Sequence, residues 1–188
     1  MGIPKHKQTL SIEEYLAGEQ DVEVRHEYVS GQIYAMAGTS DRHNRIAINL
    51  VTKLDPHIEG NPCELFISEM KVKVADDLVY YPDVMVACDK PPRDPCCRTH
   101  PVLVVEVLSP STQRIDQGEK LNAYRNVPSI RDYLIVAQDQ MRVDLHQRQD
   151  AGDWNHLIFT EPDEVVAFVS ISLSLQVSDI YRGVRFEA

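Results

Sequence analysis

A mixed β-sheet flanked by helices, of the α/β (α+β) class, is what this 188-residue sequence predicts. Three observations carry that reading. Short runs rich in β-branched residues recur along the chain, and the longest is Pro101-Val102-Leu103-Val104-Val105-Glu106-Val107-Leu108. Ile46, Leu50, Leu54 and Ile58 recur every four positions, the spacing of a helix with one buried face. A second helical stripe, Ile115, Leu121 and Tyr124, follows the long run, so helices stand both before and after strands. The length suits a single domain, residues 1–188, with a sizeable core.

Taken in order, residues 1–10 read as a loose leader. Ser11-Ile12-Glu13-Glu14 is a capping box, with Ser11 as N-cap and Glu14 at the third helical position, and Gly18 ends the short helix. Residues 22–29 and 32–37 read as strands joined at Ser30-Gly31, with Glu27 near the turn. The first long helix takes its N-cap from Thr39, Ser40 or Asp41 and ends at Gly60. Arg42, His43 and Arg45 crowd its first turn, where cations oppose the helix dipole; they read equally as a phosphate grip or as a solvated loop.

Strand patterns return at 65–74 and 79–88, around a turn at Asp76-Asp77. Pro82 lacks a ladder donor, so the second of these is bulged or at an edge there. Residues 89–100, with three prolines, form a loop. The long run at 101–108 has the near-continuous apolar character of a central strand. Alternation puts Val104, Glu106 and Leu108 on one face and Leu103, Val105 and Val107 on the other. After it, Ser109-Pro110 or Asp116 with Glu119 starts a helix that stops before Pro128. Strands at 132–137, 141–148 and 154–159, late strands within 165–175 and a last helical turn at 177–181 complete the chain.

The net charge of −10 argues against diffuse, non-specific DNA binding and leaves room for a local basic groove or a site that attracts divalent cations. The acids between Glu13 and Glu27 read mostly as a solvated face. No apolar run reaches membrane-span length and the first residues lack a signal-peptide core, so no membrane association and a cytoplasmic location are expected. Of the four cysteines, none forms a C-x-x-C pair, and free thiols in a reducing compartment are the expectation. A zinc hydrolase built on Cys96, Cys97 and His100 is a weak third idea, since adjacent cysteines rarely both reach one tetrahedral ion.

Two acids interrupt apolar strands, Asp83 and Glu106. A carboxylate at such a position must be hydrogen-bonded, paired or bound to a cation. If the strands are neighbours, two hard oxygen ligands plus water make a magnesium site rather than a zinc site. Lys120 lies four residues from both Asp116 and Tyr124, so the three share a helix face. The plain alternatives are an N-cap for Asp116 and an exposed helix lysine for Lys120. If its head is solvated, a Lys120→Met change should leave stability almost unaltered.

Pro82-Asp83, then Val104-Val105-Glu106-Val107-Leu108-Ser109-Pro110-Ser111-Thr112, then Asp116, Lys120 and Tyr124, resembles the Uma-type restriction endonuclease family, a branch of the PD-(D/E)XK nuclease superfamily. Glu27, the turn at Gly31, and His43 opening its helix add to the resemblance, which covers about residues 10–140. It implies a restriction-endonuclease-like core of helix, three strands, helix and strand, with acids gripping Mg²⁺ (or Mn²⁺). It also implies phosphodiester hydrolysis in DNA. Carried over, Asp83 and Glu106 are the motif acids and metal ligands, and Lys120 is the catalytic lysine. Leu108 stands where the wider superfamily has its lysine, so Lys120 must reach back from the following helix. Glu27, His43, Asp116 and Tyr124 are supporting candidates, and Arg42 and Arg45 are candidates for holding nucleic acid. The competing expectation is a nuclease-like binding or regulatory module with little turnover. A homodimer through the late strands is a further expectation.

Overall fold

The computed structural model describes residues 9–20, 22–36, 38–88, 95–109 and 116–186. The expectations placed on the leader up to residue 8, on Ala37, on Pro110 and on Ile115 fall outside those residues. The central layer is a six-stranded mixed sheet. It is built from β3 (Glu64–Ile67), β6 (Val84–Ala87), β8 (Pro101–Leu108), β9 (Asp132–Ala137), β10 (Val143–Arg148) and β11 (Trp154–Phe159), in the spatial order β11-β10-β9-β8-β6-β3. A five-stranded sheet packs beside it, ordered β2-β1-β5-β4-β7. Its strands are β1 (His26–Val29), β2 (Gln32–Ala35), β4 (Lys71–Ala75), β5 (Leu78–Tyr80) and β7 (Cys97–Arg98).

Strand β8 behaves as its sequence asks. Leu103, Val105 and Val107 enter one core, and Val104 and Leu108 enter another on the opposite face. On the first face lies α2 (Asp41–Ile58), N-capped by the Ser40 side chain, which accepts from the His43 amide. Its Ile46, Leu50, Leu54 and Ile58 are buried in one core with residues of β6, β8, β9 and β10. Each such side chain contributes about 1.5–3 kcal/mol by leaving water. The hairpin of β12 (Val165–Phe168) and β13 (Leu173–Gln176), followed by the one-turn helix α4 (Val177–Ile180), closes that face.

The second face carries a π-helical turn at Asp116–Lys120 that runs into α3 (Leu121–Arg125). Val127 and Ile130 after it also pack there. Strands β8 and β9 are parallel, so the chain must cross over between them, and this helical segment is the crossover. The order α2, β3, β6, β8, α3, β9 is the core of helix, three strands, helix and strand that the family resemblance implies.

The strand patterns at 65–74 and 79–88 are not single strands. Each breaks in the middle and changes sheet: β3 lies in the large sheet and β4 in the small one, then β5 in the small and β6 in the large. Ser68, with φ +36°, turns the first. Tyr81-Pro82-Asp83 interrupts the second, where proline has no amide to give the ladder. Asp83 therefore sits at the seam between the two sheets, just before β6. The N-terminal elements match their patterns more closely. Helix α1 (Ile12–Gly18) has the reciprocal Ser11–Glu14 capping box, and Ser30 and Gly31 take the positive φ values a tight hairpin needs.

Cysteines 63 and 88 correct an expectation. They are joined in a disulfide with their Cα atoms 4.0 Å apart. The antiparallel pairing of Glu64 with Ala87 puts the two residues opposite each other, a proximity that sequence spacing cannot show. Cys96 and Cys97 are reduced thiols, and among the described residues no group of three His, Cys, Asp or Glu side chains is arranged to hold a metal ion. No helix among them is long and apolar enough to cross a membrane.

Candidate active site

A pocket of about 240 Å³ opens at the seam where the two sheets and the π-helical turn meet. Strand pairing assembles it. Val84 is in register with Val105, which places Asp83, just before β6, opposite Glu106 on β8. Both side chains line the pocket. The small sheet contributes Glu27 from β1, and the π-helical turn contributes Asp116 and Lys120.

Lys120 is the hub. Its Nζ lies 2.8 Å from Glu27 Oε1, 3.1 Å from Glu106 Oε1 and 3.2 Å from Asp116 Oδ1. The last contact is an ion pair at an angle that makes no hydrogen bond, and Asp116 Oδ1 is buried without another partner among the described residues. Lys120 is 4 % exposed, so the picture of a solvated lysine head is wrong. Burial alone would drive its proton off. The surrounding carboxylates of Glu106, Glu27 and Asp116 outweigh that and hold its pKa well above the ordinary value. The ammonium also faces the ring of Tyr80, 5.4 Å from the centroid.

Glu106 is 3 % exposed. Its Oε1 accepts from Lys120 Nζ and from the Tyr124 hydroxyl, both at 3.1 Å. Burial pushes its carboxyl well above the usual range, the Lys120 charge pulls it back, and Asp116, Asp83 and Glu27 add to the rise. Asp83 is held differently. Its Oδ2 accepts from the Val107 amide at 2.7 Å and lies 3.2 Å from His43 Nε2. Four acidic side chains, Glu27, Asp83, Glu106 and Asp116, thus line a pocket with one ammonium, a balance of charge that favours a divalent cation.

The donor chemistry fits a Mg²⁺-type ion. Asp83 and Glu106 offer hard oxygens from adjacent strands, and such an ion takes one or two carboxylates, completing its shell with water and substrate oxygens. Zinc, with its preference for nitrogen and sulfur, is not matched.

Most residues singled out in the sequence come together here: Asp83, Glu106, Lys120, Glu27, His43, Asp116 and Tyr124. Arg42 and Arg45 do not line this pocket. They line a separate hollow with Asp41 and Arg185. Two contributors went unnoticed in the sequence. Gln138 donates through Nε2 to the Leu108 carbonyl at 2.7 Å. Its Oε1 accepts from Ser40 Oγ, so one buried amide ties the end of β8 to the cap of the helix that carries His43. Glu19, 3 % exposed, accepts from the His26 amide and the Tyr81 hydroxyl and thereby holds the chain just before Asp83. Nothing in their spacing marks either residue. A turn glutamine and one acid among many become visible only through contacts distant in sequence.

Comparison with known proteins agrees with this architecture. Residues 12–178 match the model of the family Uma2, described as "Putative restriction endonuclease". The chain is 42 % identical over 181 residues to the uncharacterized protein slr1290 of Synechocystis, covering 94 % of each. It is 34 % identical over 149 residues to the uncharacterized protein sll1609 of the same organism, covering 77 % of this chain and 84 % of that one. A crystal structure from Anabaena variabilis, described as "a putative nuclease belonging to DUF820", superposes with a TM-score of 0.77. That match spans 92 % of this chain and 97 % of the other at 19 % identity, a likeness of fold. The family match along nearly the whole chain places this protein in the Uma2 family of restriction-endonuclease-like proteins.

Proposed function

We propose that this protein is a divalent-metal-dependent nuclease that hydrolyses phosphodiester bonds in DNA. The observation that supports this most is the meeting of Asp83, Glu106 and Lys120 at one pocket, the first two from adjacent strands. Mg²⁺ or Mn²⁺ bound there would polarise a phosphoryl oxygen and lower the pKa of a bound water. Asp83 and Glu106 would be its protein ligands.

The chain's own residues then have distinct tasks. Tyr124 and Lys120 both hold Glu106 Oε1, which fixes the orientation of that carboxylate. The Val107 amide and His43 do the same for Asp83 Oδ2. Lys120, kept protonated by three carboxylates, stabilises negative charge that develops on the phosphoryl oxygens. The burial of Glu106 and Lys120 at the bottom of the pocket strengthens the interaction between them.

A binding module with little turnover is the competing reading, and one observation favours it. The Lys120 ammonium is already engaged by three carboxylates and must turn from some of them to meet a phosphate. Cleavage of a panel of single- and double-stranded DNA with Mg²⁺ or Mn²⁺, with Glu106→Ala as control, separates the two. Metal-dependent cleavage lost in Glu106→Ala supports the nuclease. Binding without cleavage under every metal supports the module.

A further inference from the structure

The mouth of the pocket carries an aromatic ring that the chemistry above does not use. Tyr34 lines the pocket and is 51 % exposed, while Glu106, Asp116 and Lys120 at the bottom are 1–4 % exposed. Tyr34 and Glu27 are directly paired across β1 and β2. Paired residues of an antiparallel ladder project from the same face, with Cβ atoms about 5 Å apart. The ring therefore stands one strand away from the carboxylate that touches Lys120 at 2.8 Å. Its hydroxyl donates to Gln32 Oε1 at 3.2 Å within the same strand, and among the described residues the ring enters none of the buried clusters.

An exposed ring beside a recessed, charged centre suits a ligand with a flat face and a phosphate. The overall charge of −10, and the four acids in the pocket, give a nucleic-acid backbone little electrostatic help. Stacking does not depend on charge and supplies affinity that the backbone contacts lack. A duplex keeps its bases paired and turned inward, whereas an unpaired strand presents every base face. An unpaired strand is also flexible enough to lower a phosphodiester toward groups that lie below the surface.

We propose that the pocket takes an unpaired nucleotide of single-stranded DNA, its base stacked on Tyr34 and its phosphodiester directed inward to Glu106 and Lys120. This rests on the nuclease reading for the inner end of the pocket, and the stacking subsite is testable without any cleavage.

The test is fluorescence anisotropy of a labelled single strand, its duplex, and a strand of the same length made of abasic sites. Ca²⁺ replaces Mg²⁺ so that binding is read alone, and KM is read separately with Mg²⁺. Tyr34→Ala should weaken single-strand binding about tenfold to a hundredfold and raise KM alike, with kcat little changed. Tyr34→Phe keeps the ring and should stay within about twofold of the parent. The abasic strand should bind parent and Tyr34→Ala equally. Parental single-strand binding by Tyr34→Ala, an equal loss in Tyr34→Phe, or a preference of the parent for duplex would overturn the proposal. Tyr34-dependent binding with no cleavage under any metal would keep the subsite and reject the nuclease reading. Duplex cleavage indifferent to Tyr34 would do the reverse.

Discussion

Replacing Lys120 by Met deletes one charge and keeps most of the stem. The consequence follows from where the charge sits. Glu27, Glu106 and Asp116 lie within 3.2 Å of the ammonium, and Lys120 is 4 % exposed. Removing one partner from a buried ion cluster costs about 3–5 kcal/mol. Glu106, already pushed toward its protonated form by burial, takes up a proton in the variant and recovers part of that. A net loss of about 2–3 kcal/mol remains, roughly 5–10 °C in melting temperature for a chain of this size. A divalent ion has one less positive neighbour in the variant. Mn²⁺ must also expel the proton that Glu106 has taken up, which offsets this gain, so it should bind about as tightly as in the parent and raise the melting temperature by a similar amount. Cleavage, measured well below both melting temperatures, should fall about 10²–10³-fold, as for loss of a preorganised charge donor. Thermal melts with and without Mn²⁺, calorimetric titration and a cleavage assay read the three effects. Melting and cleavage like the parent's would return Lys120 to the ordinary helix lysines.

Gln138→Ala removes the link between Ser40 and the Leu108 carbonyl. It should cost about 1–3 kcal/mol in urea unfolding and lower kcat more than it raises KM, because it loosens the mounts of Glu106 and His43 rather than the substrate. His146 is buried, stacks on His156 with centroids 4.2 Å apart and lies 3.3 Å from Arg125. Burial, His156 and Arg125 lower its pKa from 6.5 to about 4, so the folded state favours the neutral ring. The unfolded chain binds the extra proton, so this contribution is complete above about pH 6.5 and is lost as pH falls toward 4, on the order of 2 kcal/mol after screening. His146→Gln should flatten that part of the stability–pH curve relative to the parent, and parallel curves would contradict the assignment. Unfolded under non-reducing conditions, the protein should show two titratable thiols, and four after reduction. Reduction should cost about 3 kcal/mol for a loop of this length, and four thiols before reduction would contradict the Cys63–Cys88 pairing.

The parts of this molecule that follow local rules were legible in the sequence. The Ser11 capping box, the Ser30-Gly31 turn, the four-residue repeat of α2 and the two faces of β8 each depend on neighbours a few residues away. Glu106 announced itself because a carboxylate inside an apolar run has few stable explanations. Long-range features were hidden. The chain changes sheet at Ser68 and again at Pro82, and the apolar pattern continues across both breaks, so each half looked like one strand. The Cys63–Cys88 bond, the Gln138 bridge and the hold of Glu19 on Tyr81 arise from strand register. Lys120 was recognisable through the resemblance of its motif, but its burial was not, because nothing local tells a helix lysine that three acids will close around it.

The proposed nuclease chemistry requires Asp83 and Glu106 to hold one divalent ion together. Calorimetric titration of Mn²⁺ into the parent, Asp83→Ala and Glu106→Ala tests it directly, with circular dichroism to show that each variant is folded. One Mn²⁺ site is expected in the parent and is lost in both variants, since neither carboxylate alone completes the pair at the β6–β8 seam. Unchanged Mn²⁺ binding by either folded variant, or a parent that binds no Mn²⁺ at millimolar concentration, would contradict it.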